Sequence, residues 1–600
     1  CTSQTEPADG KTPSKPSAPS STPGWGKVSC PCCASERVEP LVLVKLGQKV
    51  IPETKRWLIK LIRAPQKEGG AGLLAHPGED ATGNIIVLSA PRCTLLRATE
   101  ELGLCKIYRN GEMEAFAYDD RDNFRDSGRV FLTSAERQYI IKYELDGLRA
   151  QKDLRIPGML DSCTLQRRDN IWQKLGAAGV IVDTFPLHNP GKLKDLSEAW
   201  YAGNQLAQPL DKVNEYFGSS MAFYFSFLDF YTWSLLPPAI LGIFIAYFSS
   251  MNGPLLSAKE PQVFVTHVTI RPAGLVVLGM MCFYWAEARV QQLHKDWDSM
   301  ISQALLYTPS VLHIVYTNML ATVYKTVATS LTEYENHREE SAYENHLTGK
   351  VLVFTFFNNF AVLFHIAFFK QDVTLLRKRL ASLLIITQLV NQVTEVVIPF
   401  LVDRFISAPH RAENKDDPEE DKFRNQGTLP PFPGLFAEYI ELLVQFGYLS
   451  LFSCVFPLTA ILLLLNNLTE IRSDAYKVCK LFRKPFYPPV ASMGVWQHAF
   501  EVLSFVSVVS NCWLLLLSPR VQELSQEAEM TSSNLLMGAV IVEHVLILVK
   551  VIMAALIPDE PDWIRKKREH IEYTSMQALR QQVNKVLLTF LNIWRHSASF

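Results

Sequence analysis

The sequence predicts an α-helical polytopic membrane protein with a small cytosolic α/β domain at its front, and three observations lead there. Before Phe217 apolar residues come in short runs separated by charge. From Met221 onward long uncharged stretches recur, each close to the ~20 residues needed to cross a bilayer. The third observation is charge balance: 59 Lys+Arg face 60 Asp+Glu in 600 residues, a formal net charge of -1. That balance excludes a nucleic-acid binder and a disordered acidic tail.

Residues 1–37 are rich in Pro, Ser and Thr and carry too little apolar surface to offset ordering entropy, so they are expected to form a disordered arm. Within it Cys30, Cys32 and Cys33 lack a second Cys or His pair at finger spacing, which favours an unstructured or lipidated tail over a zinc site. The 11 cysteines are scattered without a disulfide framework, as in a reduced, cytosol-facing domain. The chain begins at Cys1 without a methionine, so its natural N-terminus is expected upstream; no secretory signal is visible.

The front domain is expected over 38–205. LVLVKL (41–46) reads as a strand, PETKRWLIKLIR (52–63) as an amphipathic helix and AGLLAH (71–76) as a strand. NIIVLSA (84–90) is a further strand, 91–103 a helix ending at Gly103, and EMEAFAY (112–118) a last strand. This β-α-β-β-α-β order is ferredoxin-like, with two helices on one face of an antiparallel sheet. A helix over 134–150 and a strand-like stretch over 179–188 extend the domain.

The transmembrane domain is expected over 206–562, followed by a C-terminal cytosolic helix within 563–600. Apolar segments fall near 221–248, 270–286, 304–324, 351–369, 380–402, 436–456, 457–476, 496–517 and 535–557, nine crossings by length. Pro457 divides what is otherwise one very long segment, because a proline inside a helix removes a hydrogen bond. Positive-inside counting puts Lys477, Lys480, Arg483, Lys484 and Arg565–Arg568 on the cytosolic face, while Arg377, Lys378 and Arg379 fall on the opposite side. The charged stretch 408–428 reads as a solvated cytosolic loop, and the amphipathic 576–596 as a helix on the membrane surface or against the front domain.

Acids inside spanning segments are costly, about +2.5 to +3.5 kcal/mol for Asp at a helix centre, and need an explanation. Here they come in pairs. Asn391 and Glu395 are four apart, Glu438 and Glu441 three apart, and Glu470 and Asp474 four apart, so each pair shares a helix face. The pairs lie late, early and late in their segments; since successive spans run antiparallel, all fall towards one membrane face. Five carboxylates and an amide oxygen, with no Cys or His, are hard ligands suited to Ca²⁺ or Mg²⁺, and bridging carboxylates let two Ca²⁺ ions fit. A row of solvated or salt-paired interfacial acids, and a proton or cation pathway, are the competing readings. An empty site holds the Asn391/Glu395 helix away by repulsion, and occupancy draws it in, which can open a polar groove for ions or lipid headgroups.

EYIELLVQFGYLSLFSCVFPL (438–458) and LLNNLTEIRSDAYK (464–477) strongly resemble the anoctamins, also called the transmembrane protein 16 family. The resemblance extends through 335–360, 217–233 and IPDEP (557–561). It implies a calcium-regulated homodimer of ten-span subunits, each with a membrane-exposed groove that moves phospholipid between leaflets or conducts inorganic ions. By motif position Asn391 and Glu395 match the family's sixth helix, Glu438 and Glu441 the seventh, and Glu470 and Asp474 the eighth. Asp559 matches an acid of a further calcium site near the dimer interface. One departure stands out: between Phe248 and Val263 the expected second helix is missing, which suggests a skipped exon or an incomplete gene model and leaves Asp559 without its partner acid.

The doubled Tyr-Glu-Asn-His, at 334–337 and 343–346, places His337 and His346 nine residues apart. On one continuous helix they point to opposite faces, so the stretch reads as a cytosolic linker rather than a metal site. No P-loop, H-E-x-x-H or G-x-S-x-G motif appears, so transport here runs downhill without hydrolytic machinery. Three functions remain: a calcium-activated phospholipid scramblase of internal membranes, endoplasmic reticulum ahead of plasma membrane or endosome; a calcium-activated ion channel; and a non-transporting tether.

Overall fold

The computed structural model describes residues 38–48, 50–76, 84–109, 111, 113–124, 131–158, 164–203, 207–251, 289, 300–337, 340–393, 397–402, 405, 426–490, 492–529, 531–558, 560–570, 572–573, 576–577 and 580. The expectations for 1–37, 270–286, 408–425 and most of 248–263 and 576–596 lie outside the described residues. The chain divides into two compact units, Cys1–His188 and Asn189–Phe600.

In the first unit the main sheet comprises β1 (Val42–Leu46), β2 (Leu74–His76) and β3 (Ile85–Ser89), completed by a strand at Ile181–Pro186. Helices α1 (Pro52–Arg63) and α2 (Arg92–Glu101) follow β1 and β3, as the sequence predicts. The spatial order is β2, β3, β1, then Ile181–Pro186, with every pair antiparallel, which is the ferredoxin-like arrangement.

One expectation needs correction. The strand predicted at 112–118 does not join this sheet. Among the described residues its Met113–Ala115 part pairs with Cys105–Ile107 alone, in a separate two-stranded ribbon. Met113 and Ala115 are exposed there, whereas Ile181, Phe185 and Pro186 are buried, and apolar burial selects the strand that lies against β1. A central strand of the sheet is covered on its second face as well. Val42, Leu43 and Val44 are all buried, and successive strand residues point to opposite faces, so both faces of β1 are covered.

Helix α3 (Ser134–Asp146) starts in a capping box between Thr133 and Glu136, and Gln138 Nε2 donates to the Leu41 and Leu187 carbonyls at 3.0 and 2.8 Å. Those bonds tie α3 to the backbone at the end of β1 and beyond Ile181–Pro186. A fourth helix, α4 (Ile171–Ala177), is capped by the Asn170 side chain and leads into that last strand.

The second unit is helical. It runs α5 (Pro190–Trp200), α6 (Leu210–Phe217), α7 (Ser219–Ser234), α8 (Leu236–Met251), α9 (Met300–Glu335), α10 (Glu340–Phe364), α11 (Val373–Gln392) and α12 (Ile398–Val402). It continues with α13 (Leu435–Leu451), α14 (Thr459–Tyr476), α15 (Val495–Leu516), α16 (Pro519–Glu527) and α17 (Ser532–Leu556). Gly218, at φ 104, makes the sharp turn from α6 into α7.

Among the described residues four stretches are long and apolar enough to cross a membrane: Ser219–Tyr247, Ala342–Lys370, Val495–Leu516 and Ser532–Leu556. Helices α13 and α14 fall short of such a test for reasons visible in the chain. The first is 17 residues long, and the second carries Glu470, Arg472 and Asp474 within its 18. Pro457 lies in the turn that separates them, as the sequence predicts.

The core of this unit holds α7, α10, α11, α13, α14 and α15 together through large side chains. Tyr439 of α13 stacks on Trp496 of α15 with centroids 5.1 Å apart, and meets Tyr224 of α7 edge-on at 5.4 Å. Gly447 is needed in α13 because any Cβ there would collide with the Phe360 ring of α10. This close approach brings the acid-bearing helices within reach of α10 and α11.

Candidate metal centre and the cavity beside it

The end of α11, the start of α13 and the end of α14 bring Asn391, Glu438, Glu441 and Glu470 together. Carboxylate oxygens of Glu438, Glu441 and Glu470 lie within 4.8 Å of one another. Glu438 and Glu470 are buried and Glu441 is half-buried. Asn391 at the end of α11 donates its Nδ2 to Glu441 Oε1 at 3.0 Å. Glu395 and Asp559 lie outside the described residues.

Asp474, one turn beyond Glu470, stands apart from that trio and has different partners. Tyr224 OH of α7 donates to Asp474 Oδ2 at 2.6 Å. Lys477 Nζ sits 2.7 Å from Asp474 Oδ1 and 3.4 Å from Glu438 Oε1, with only 5% of its side chain exposed. The four acids and this one ammonium leave a formal excess of three negative charges. Burying so much like charge is costly unless other positive charge is drawn in.

Two polar side chains beyond the predicted set join the cluster. Asn466 Nδ2 donates to Glu470 Oε2 at 2.7 Å, and Gln445 Nε2 lies 3.4 Å from the same oxygen and 3.5 Å from Glu441 Oε1. Asn467 is wholly buried, and both its amide atoms, like Gln445 Oε1, lack a hydrogen-bond partner among the described residues. Buried polar atoms without partners are rare and call for a missing water or ion. An all-oxygen donor set with spare lone pairs fits a hard divalent cation.

Sequence reading missed Tyr224, Gln445, Asn466 and Lys477. Gln445 is four residues after Glu441 and Asn466 four before Glu470, so helical spacing alone put both on the acid faces. Lys477, three after Asp474, was readable in the same way, but its charge counted only towards the cytosolic flank.

Beside the acids lies a cavity of about 290 Å³ walled by α9, α10, α11 and α13. Asn391, Glu441 and Gln445 line it, together with Asn318, Thr322, Lys325, Thr355, Asn358, Thr387 and Gln388. Asn358 Oδ1 and Gln388 Oε1 are buried without hydrogen-bond partners among the described residues. The polar residues Asn318, Thr322 and Lys325 form one stripe of α9, and Val315, Met319 and Val323 beside them are exposed and apolar.

Apolar helices long enough to span a membrane, with an acidic cluster and a polar cavity among their neighbours, define a polytopic helical membrane protein with a candidate cation site in its own bundle. The chain belongs to the anoctamin family, whose sequence model, described as "Anoctamin: Calcium-activated chloride channel", matches residues 213–270 and 255–571. It is similar to Anoctamin-10 of Mus musculus and of Homo sapiens, each 36% identical over 91% of this chain and 95% of the relative. Anoctamin-10 of Danio rerio is 35% identical over 90% of this chain and 96% of its own length. The family includes calcium-activated scramblases and chloride channels.

The matches bear on the expectation that a second helix is missing. The family match comes in two pieces that meet at 255–270. The alignment to the mouse relative runs over 633 positions but uses 91% of 600 residues, about 546, so about 87 positions are gaps within this chain.

Proposed function

We propose that this protein is a calcium-activated phospholipid scramblase of intracellular membranes, with the endoplasmic reticulum as its expected compartment. The observation that carries the reading is the convergence of Glu438, Glu441 and Glu470 within 4.8 Å beside a polar cavity that Asn391 and Glu441 also line. Glu395 and Asp474 join Asn391, Glu438, Glu441 and Glu470 as the ligand set; Asp559 belongs to a further, peripheral site. Bound calcium supplies positive charge and accepts six to eight oxygen ligands in flexible geometry.

The residues do the rest. Like charges on α13 and α14 repel one another and any acid at the end of α11. Neutralising them lets Asn391 and its neighbours hold against Glu441, and the position of α11 sets the width of the cavity it walls. Polar side chains on α9, α10 and α11 offer hydrogen bonds to a phosphate-bearing headgroup. The exposed apolar stripe of Val315, Met319 and Val323 beside them suits acyl chains that stay in the bilayer. A headgroup then crosses without leaving its tails' solvent, downhill.

The test is reconstitution into vesicles with a fluorescent lipid quenched from outside. Calcium-dependent loss of signal beyond the half exposed in the outer leaflet supports the reading; its absence, in protein that binds calcium, ends it. The second reading is a calcium-activated ion channel, favoured by Lys325, whose single positive charge faces the cavity. Current recordings on the same vesicles test it. A tether survives only if both assays are silent.

The assembly we propose is a homodimer. The apolar α17, none of whose residues is fully buried, is consistent with that. The gap near 248–263 is read as a lost second helix, and sequencing transcripts across that junction tests it.

A further inference from the structure

We propose a transition-metal site, distinct from the acid cluster, at the turn between α9 and α10. If 334–346 were one helix, His337 and His346 would face apart. The structure breaks that helix: α9 ends at Glu335, and Asn336 takes the left-handed conformation at φ 50, which asparagine tolerates better than most residues. The chain reverses, and α10 runs back along α9 from Glu340.

The reversal stacks the two imidazoles with centroids 4.3 Å apart and planes 28° from parallel. His337 Nε2 lies 2.9 Å from Glu335 Oε2, and His346 Nδ1 lies 3.8 Å from the same oxygen. One nitrogen from each ring and one Glu335 oxygen therefore fall within 4.8 Å of one another. Ligands at about 2.0–2.1 Å around a tetrahedral zinc ion sit about 3.3 Å apart, so the two rings must turn out of their stack to aim their nitrogens at one ion.

Two imidazoles and one carboxylate select a first-row transition dication such as zinc over calcium, with water completing the shell. Lys350 Nζ, 2.9 Å from Glu335 Oε2 and 3.2 Å from Thr332 Oγ1, occupies the place where positive charge is wanted. It must yield or share Glu335 when a metal enters. A metal here staples α9 to α10, the two helices that carry Thr322, Lys325, Thr355 and Asn358 into the cavity wall.

The experiment is calorimetric zinc titration of the full chain in detergent. Cys30→Ser, Cys32→Ser and Cys33→Ser are introduced in every sample to remove that competing thiol cluster. One zinc per chain is expected, lost in His337→Ala/His346→Ala, and bound several-fold more tightly in Lys350→Met. A misfolded variant cannot produce the tighter binding. No zinc uptake by the parent, or equal uptake by the double-histidine variant, overturns the proposal. Calcium titration of the same samples keeps the two sites apart, since calcium uptake is expected to be unchanged.

Discussion

Lys477 Nζ lies 2.7 Å from Asp474 Oδ1, inside the acid cluster rather than on its rim. A tethered ammonium there does part of what a bound cation does, and the two compete for the same carboxylates. Lys477→Met is expected to raise apparent calcium affinity about tenfold, about 1.4 kcal/mol, in calcium titrations of lipid transport. In chelator the same variant should unfold more readily, since removing one partner of a buried pair costs about 3–5 kcal/mol, and calcium should restore most of that. Lower calcium affinity in Lys477→Met would count against competition.

Glu438→Gln and Asp474→Asn each remove one negative charge from the buried set. Both are expected to move activation to higher calcium. Calcium sensitivity unchanged in the two variants would refute the ligand assignment.

Tyr224→Phe deletes the donor at 2.6 Å from Asp474 Oδ2 with little change of shape. A hydrogen bond to a charged group contributes about 1.5–3 kcal/mol, so a stability loss of that order is expected in chemical denaturation of the detergent-solubilised protein. A neutral result would mean that Asp474 is satisfied by Lys477 alone.

Thr322→Trp fills the polar cavity from α9 and leaves every carboxylate of the cluster in the sequence. Transport is expected to slow at least about tenfold while the calcium dependence of what remains is unaltered. Normal transport rates would place the lipid path elsewhere.

In the first unit burial raises the Glu144 carboxyl above its ordinary value of 4.5, against the lowering effect of its bonds from Gln66 at 2.7 and 2.8 Å. A raised acid favours the protonated form in the folded state. Its penalty is therefore full above the folded pKa and disappears as pH falls through that value towards 4.5. Glu144→Gln should slow amide exchange in α3 at pH 7, after correction for intrinsic rates, and the gain should vanish at acidic pH.

Much of the architecture was legible because apolar patterning is local. PETKRWLIKLIR forms a helix over Pro52–Arg63 with Leu58, Ile59 and Ile62 buried, and Pro457 parts α13 from α14. The last sheet strand was not legible. EMEAFAY and GVIVDTFPLH both satisfy strand propensity, and only packing against β1 decides between them. The histidine pair was misread for a related reason, since a single residue with positive φ at Asn336 turns a continuous helix into a hairpin.

The sequence by itself determined that this chain is a helical membrane protein of the anoctamin family. Segment length, uncharged composition and the spacing of Asn391, Glu438, Glu441, Glu470 and Asp474 are one-dimensional quantities. Tertiary structure alone decided that Glu438, Glu441 and Glu470 share one volume while Asp474 is held by Tyr224 and Lys477. Helical periodicity says which face a side chain occupies. Which partners wait at that face depends on where other helices pack, and that is settled by steric fit among residues far apart in the chain.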